Sequence, residues 1–365
     1  MRKYNFAAAL FLAVFLAGCG GGGSSGGSQA PKVSFTSVVT FGDSLSDVGT
    51  YAVGTITALG GGGQYTINGT GKNWTELMAA QLGLPVPCAA QTGLLGSAVN
   101  GFSVPIVNHP GCTGYAQGGA RVTNPVGPGN ALLGGTNAIL GQLTVPITTQ
   151  IDNHLAAVGG KFSGSEIVFT MAGANDVFIQ LATYAATVTA SPSSASAAAT
   201  AAVTAMATAA TELAGYVNTK IIGKGARYVV VVNMPDVSST PFAAAQELAA
   251  PGTKAFINTL VTTFNSQLQA LLAGNPNVLF VDAYTVHRDE VTNPAAYSLS
   301  NVTTPACNLT AATNPIGSSL MCNAGNLSPG VNSNYLFSDT VHPTPYGYLL
   351  LARLVSKDML IKGWL

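Results

Sequence analysis

The residues Tyr228 to Val232 read Tyr-Val-Val-Val-Val, with no polar residue at alternate positions. A strand with one wet face alternates apolar and polar residues. An unbroken β-branched run instead fits a strand covered on both faces, as in a parallel sheet flanked by helices. Segments 37–41, 166–171 and 277–282 are shorter runs of the same kind. Between them lie stretches with helical spacing. Segment 72–82 puts Trp74, Leu77, Met78 and Leu82 on one face. Segment 181–220 is rich in Ala and Thr; it predicts two helices broken by a turn at Ser191-Pro192-Ser193 rather than a flexible insertion. Segments 256–272 and 346–360 predict two more helices, the last with Leu349, Leu350, Leu354 and Met359 toward the core. This alternation predicts an α/β fold with a parallel sheet and helices on both faces. No internal repeat is evident.

The first residues do not belong to that pattern. Arg2 and Lys3 precede an apolar run, 6–17, too short to cross a bilayer. Leu16-Ala17-Gly18-Cys19 has the shape of a bacterial lipobox, which predicts cleavage before Cys19 and lipidation of Cys19. An ordinary secretory signal with a chance cysteine is the plainer alternative. The expected organisation is a leader at 1–18, a flexible Gly/Ser-rich tether at 19–32 and one domain at 33–365. The expected location is outside the cytoplasm, as an outer-membrane or cell-surface lipoprotein, or else periplasmic or secreted.

In an exported chain the four remaining cysteines, Cys88, Cys112, Cys307 and Cys322, are candidates for disulfides. Three pairings are possible; proximity favours Cys88 with Cys112 and Cys307 with Cys322. No Cys or His spacing resembles a zinc site, so no metal or other cofactor is expected. Charged residues are only 8% of the chain, against ~25% in ordinary soluble domains, and the formal net charge is zero. Without a basic run, nucleic acid is not an expected partner.

Ligands of open parallel sheets sit beyond the carboxyl ends of the strands. Three such ends carry polar residues: Ser44 after segment 37–41, Asn175 after 166–171 and Asp236 after the valine run. A serine hydroxyl becomes a nucleophile when a base takes its proton, and the base is usually a histidine oriented by a carboxylate. The stretch "FSDTVHPTP" offers Asp339 and His342 three residues apart. An oxyanion also needs donors. The stretch "GYAQGGARV" brings Gly118 and Gly119, whose backbone N–H groups no side chain shields, and "MAGANDVF" brings the Asn175 amide.

These stretches, "FGDSLSD", "YAQGGARV", "GAND" and "DTVH" in that order, resemble the motif blocks of the SGNH hydrolases, also called GDSL lipases/esterases. The likeness spans about residues 37–360. "VVNMPDVSSTP" and "NPAAYSLSNVTTPAC" are similar to a larger secreted branch that includes phospholipases and lecithinase/haemolysin-like proteins. The resemblance implies a three-layer α/β/α sandwich with a flavodoxin-like parallel sheet and serine ester hydrolysis without a cofactor. It implies Ser44 as nucleophile, His342 as base and Asp339 as orienting acid. The oxyanion hole would be Ser44, Gly119 and Asn175, with Gly118 as the near alternative to Gly119. The sequence departs from the pattern at Gly114, where the family often has an asparagine. The GxSxG elbow of α/β-hydrolases is absent around Ser44.

The expected partner is a small-molecule or lipid ester, with membrane attachment through Cys19. A phospholipase or lipid acyltransferase would use the same residues. A non-catalytic surface lipoprotein is the alternative from another class, as is a structural or adhesive exported domain. Asp43, Asp47 and Asp176 read as turn and helix-cap residues. His109, His154 and His287 read as surface or structural, and Trp74 as core. Segment 84–130 reads as a long Gly/Pro-rich loop that shapes the substrate pocket.

Overall fold

The computed structural model describes residues 32–365. The leader, most of the tether and Cys19 lie outside the described residues.

The elements follow in the order β1 (Val38–Gly42), α1 (Gly54–Ala58), α2 (Trp74–Gln81), β2 (Gln91–Leu95), β3 (Ser103–Asn108), α3 (Asn137–Leu140), α4 (Ile147–Ala157), β4 (Ile167–Met171), α5 (Ala174–Ala190) and α6 (Ala195–Tyr216). They continue with β5 (Tyr228–Val232), α7 (Pro241–Ala249), α8 (Thr253–Leu272), β6 (Val278–Val281), α9 (Ala283–Thr292) and α10 (Pro345–Lys362).

Strands β1, β4, β5 and β6 lie side by side in that order, all parallel. The outer side of β1 is not bare. Thr40 donates its N–H to the Thr113 carbonyl at 3.0 Å and accepts from the Tyr115 N–H at 2.9 Å. Segment 113–115 thus occupies the edge position that precedes the first strand in the flavodoxin-like order 2-1-3-4-5.

Successive side chains of the sheet point to opposite layers. Val39, Phe41, Val168, Val229 and Val231 pack with Ile147 and Ile151 of α4, Val177 of α5, Met206 of α6 and Phe264 of α8. Val38, Ile167, Phe169, Val230 and Val232 pack with Trp74 and Met78 of α2 and with Tyr348 and Val355 of α10. The result is the three-layer α/β/α sandwich. The Ala-rich stretch forms two helices, α5 and α6, as expected. Ala202, Met206, Ala209, Ala210 and Leu213 of α6 are buried, which makes it a core element.

Two parts differ from the sequence expectation. Segment 84–130 is not all loop: β2 and β3 pair antiparallel, with an irregularity between Thr92 and Leu94. Their signal was weak because β3 contains Pro105 and is mostly exposed. The Cys88–Cys112 disulfide closes the loop that contains this hairpin. Helices α1, α3, α4, α7 and α9 were not foreseen either. Of these, α4 bears directly on the site, because buried Gln150 clamps the end of β1. Its side chain accepts from the Gly42 N–H at 2.9 Å and donates to the Gly42 carbonyl at 2.8 Å.

Candidate active site

β1 ends in a crowded place: a Cβ on Gly42 would lie 2.7 Å from the Met171 carbonyl oxygen. The chain then turns. Asp43 accepts the Leu45 N–H at 3.0 Å and the Ser46 N–H reaches the Asp43 carbonyl at 3.1 Å. That turn sets Ser44 at the carboxyl edge of the sheet, on the wall of a cleft of about 660 Å³. Burial pushes Asp43 up to about 7, against the pull of the Leu45 N–H.

The Ser44 hydroxyl lies 2.9 Å from His342 Nε2. His342 Nδ1 lies 2.7 Å from Asp339 Oδ2 and 2.9 Å from Oδ1. The three-residue spacing has a local cause. Asp339 Oδ1 also accepts the backbone N–H groups of Val341 and His342, at 2.9 and 2.8 Å. One carboxylate thus both folds the turn and holds the imidazole that the turn presents. Asp339 is buried, which would raise its pKa. The His342 charge, the His342 and Ser319 hydrogen bonds and the Val341 N–H outweigh that burial and hold the carboxyl well below the usual range.

The glycine pair divides its roles. The Gly118 N–H donates to Asp47 Oδ2 at 2.9 Å, while its carbonyl accepts from the Tyr51 hydroxyl at 2.7 Å. Asp47 Oδ1 takes the N–H groups of Gly49 and Thr50, so this carboxylate ties the serine turn to the glycine loop. Burial pushes Asp47 up to about 6, opposed by these backbone donors. Gly119 lines the cleft, and among the described residues no hydrogen bond takes its N–H. Its φ of 79° favours glycine, and a Cβ there would lie 2.2 Å from the Pro128 carbonyl oxygen.

Asn175 lies in the first turn of α5, facing the same cleft. Its amide donates to the Ala120 carbonyl at 2.9 Å, which orients the group and leaves a second N–H. Asp176, next to it, accepts from Arg121 Nε at 2.8 Å and from the Val122 N–H at 3.1 Å. Burial raises this carboxyl and Arg121 pulls it back. Asp43 and Asp47 therefore act in turns, as their positions implied, whereas Asp176 caps no N–H of α5 and instead ties that helix to Arg121 and Val122.

The structure brings Ser44, His342, Gly119 and Asn175 to the wall of one cleft, with Asp339 buried against His342. Cys307 and Cys322 form a disulfide, as do Cys88 and Cys112. His154 is buried among Phe41, Tyr115 and Phe162, and burial lowers it to about 4. His109 contacts Thr92, and His287 packs edge-on to Phe337. Among the described residues no group of three His, Cys, Asp or Glu side chains is placed to share a metal ion.

Two residues of the site were not foreseen. Tyr65 lays its ring against His342, with centroids 4.6 Å apart. Ser319 gives Asp339 Oδ2 both its hydroxyl, at 2.5 Å, and its N–H, at 3.1 Å. Ser319 is three residues from Cys322, and Asn68 Nδ2 donates to the carbonyls of both, at 2.9 and 3.1 Å. Nothing short-range marks Ser319. The signal that could have found it is the cysteine pair enclosing an Asn/Ser-rich loop just before "FSDTVH". Ser319→Ala is expected to lower kcat roughly tenfold with little change in KM, because a hydrogen bond to a charged group is worth about 1.5–3 kcal/mol and the Ser319 N–H remains. Steady-state kinetics check this; an unchanged kcat would count against a part for the hydroxyl.

At the carboxyl edge of a parallel α/β sandwich, a serine, a histidine and an aspartate are thus joined in one line, an arrangement of the kind that serine hydrolases use. The model of the GDSL-like lipase/acylhydrolase family matches residues 38–355, and the chain belongs to that family. Esterase EstA of Pseudomonas aeruginosa is 32% identical over 136 residues, 35% of this chain and 19% of that protein. A GDSL esterase/lipase of Arabidopsis thaliana is 31% identical over 99 residues, 27% of this chain and 26% of that one. The alignments thus span only about a fifth to a quarter of these relatives. Among solved structures, an extracellular lipase from Streptomyces rimosus is similar at 17% identity and a TM-score of 0.40, covering 88% of this chain and 99% of that one.

Proposed function

We propose that this protein hydrolyses carboxylic esters through an acyl-enzyme on Ser44. The reading rests above all on the unbroken line from Ser44 Oγ through His342 to Asp339, at 2.9 and 2.7 Å, in a cleft with free donors. His342 Nε2 accepts the Ser44 proton as Oγ attacks the carbonyl carbon. Asp339 holds the ring in the tautomer that leaves Nε2 free and stabilises the imidazolium that forms. The carbonyl oxygen gathers negative charge opposite the N–H groups of Ser44 and Gly119 and the free Asn175 N–H. The tetrahedral intermediate collapses, the C–O bond to the alcohol breaks, and His342 returns its proton to the leaving oxygen. Water then repeats the sequence on the acyl-enzyme and releases the acid. The test is a series of p-nitrophenyl esters from acetate to palmitate given to the full chain. Ester cleavage that depends on Ser44 supports the reading; its absence on every ester counts against it.

The protein is also read as exported, for which two disulfides in one chain are the support. The finer proposal is anchorage through lipid on Cys19. Cys19→Ser is expected to abolish incorporation of labelled palmitate and to move the protein from the membrane fraction to the soluble one. Unchanged fractionation would argue for the plain secretory signal.

A further inference from the structure

The cleft continues beyond the candidate catalytic residues along one helix. Asn175, Phe178, Leu181, Ala182 and Ala185 of α5 all line it. At 3.6 residues per turn these positions fall on one third of the helix circumference. Helix α7 forms the facing wall with Phe242 and Gln246, one turn apart. The Phe242 N–H donates to the Thr340 carbonyl at 2.9 Å, which fixes the inner end of that wall two residues from His342. The Phe178 and Phe242 rings meet edge-on at 5.1 Å. Further out, alanines face the cleft where larger side chains would fill it. Ala182 and Ala185 are exposed, so the outer part of the groove is open. No charged side chain is among these residues, and Gln246 is the only polar one past Asn175.

The dimensions are specific. Ten residues separate Asn175 from Ala185, about 15 Å at the helical rise of 1.5 Å per residue. Carbon–carbon bonds of about 1.5 Å at angles near 111° advance an extended chain by roughly 1.25 Å per carbon. The groove therefore matches about twelve carbons. Each methylene withdrawn from water there adds roughly fourfold to binding. We propose that the α5–α7 groove is the track for one extended aliphatic chain of the ester, and that Ala182 and Ala185 set the length it accepts. This rests on the ester-hydrolase reading and adds the substrate class to it.

The test uses the full chain with Ala182→Trp and Ala185→Trp. Ala182 lies about 10 Å along the track and Ala185 about 15 Å. Two substrate series are compared: p-nitrophenyl acyl esters from two to sixteen carbons, and alkyl acetates over the same lengths. The expected result is that Ala182→Trp lowers the ratio of kcat/KM between the twelve- and two-carbon substrates at least tenfold. Ala185→Trp should lower it less. An effect in the acyl series assigns the track to the acid, and an effect confined to the alkyl acetates assigns it to the alcohol. Ratios unchanged in both series overturn the proposal. Calorimetric binding of dodecanoate and dodecanol to the same variants does not need turnover. If neither variant weakens either ligand, the track is wrong. If both variants weaken one of them while no ester is cleaved, the track stands and the ester reading falls. Ala182→Leu, a smaller intrusion on the same face, should shift both readouts in the same direction, and its melting curve guards against a folding defect in the Trp variants.

Discussion

Ser44→Ala is expected to lower ester cleavage on the order of a million-fold, to the level left by binding and oxyanion donors alone. The size follows from chemistry, since alanine offers no atom on which an acyl-enzyme can form. The fold should survive. The Ser44 hydroxyl makes its side-chain hydrogen bond to His342 Nε2, and that nitrogen lines the same cleft, where water can replace the partner. The backbone of the turn is held by Asp43 and by Gln150 at Gly42, neither of which the substitution touches. His342→Ala should cost a similar factor, and the double variant little more than either single one. Residues that act as one unit lose their function once, so their effects do not add. Circular dichroism and a melting curve establish that the variants are folded. A folded Ser44→Ala that retained the parental rate would end the assignment, whatever the geometry suggests.

Much of this arrangement was legible in the sequence because its determinants are local. The valine run of β5 needs cover on both faces wherever it sits, and the same holds for β1 and β4. "DTVH" works as a four-residue turn whose carboxylate caps its own N–H groups, so once the neighbouring motifs single it out its geometry follows locally. Asp47 read correctly as a turn residue because short polar side chains beside turns bind nearby backbone; Asp176 did not, since its partners Arg121 and Val122 lie more than fifty positions away. What escaped reading depends on contacts between distant parts of the chain. Gln150 clamps Gly42 across 108 positions, and Asn68 holds Ser319 across 251. A glutamine in an amphipathic helix or a serine in a polar loop looks the same with or without such a partner. The β2–β3 hairpin escaped for another reason: exposed strands with a proline carry little of the alternation that marks a half-buried one. The motif match favoured Gly119 over Gly118, and the structure supplies a physical reason for that preference. Both lie in one motif, and only the Asp47 hydrogen bond shows that the Gly118 N–H is already taken.

Asn175→Ala is expected to lower kcat by 10²–10³-fold, about 3–4 kcal/mol of transition-state stabilisation, with KM changed far less. The split follows from when the charge appears. In the bound ester the carbonyl oxygen is nearly neutral, and in the tetrahedral state it carries most of a negative charge. A donor aimed at that oxygen therefore acts mainly on the barrier. Asn175 is suited to the part because the Ala120 carbonyl holds one of its N–H groups at 2.9 Å, which fixes the direction of the other. Its place in the first turn of α5 adds the positive end of the helix dipole to the same spot. The substitution also leaves the Ala120 carbonyl without its donor, which by itself costs about 1 kcal/mol of stability and lowers the melting temperature a little. That structural loss is separable from the catalytic one. A boronic acid that forms a tetrahedral adduct on the serine should bind the variant more weakly, by a factor approaching the loss in kcat. Dodecanol has no carbonyl oxygen and forms no tetrahedral state, so its affinity should fall far less. Equal losses for both ligands would mean that the cleft had merely deformed, and Asn175 would then be a positioning residue rather than a donor to the oxyanion.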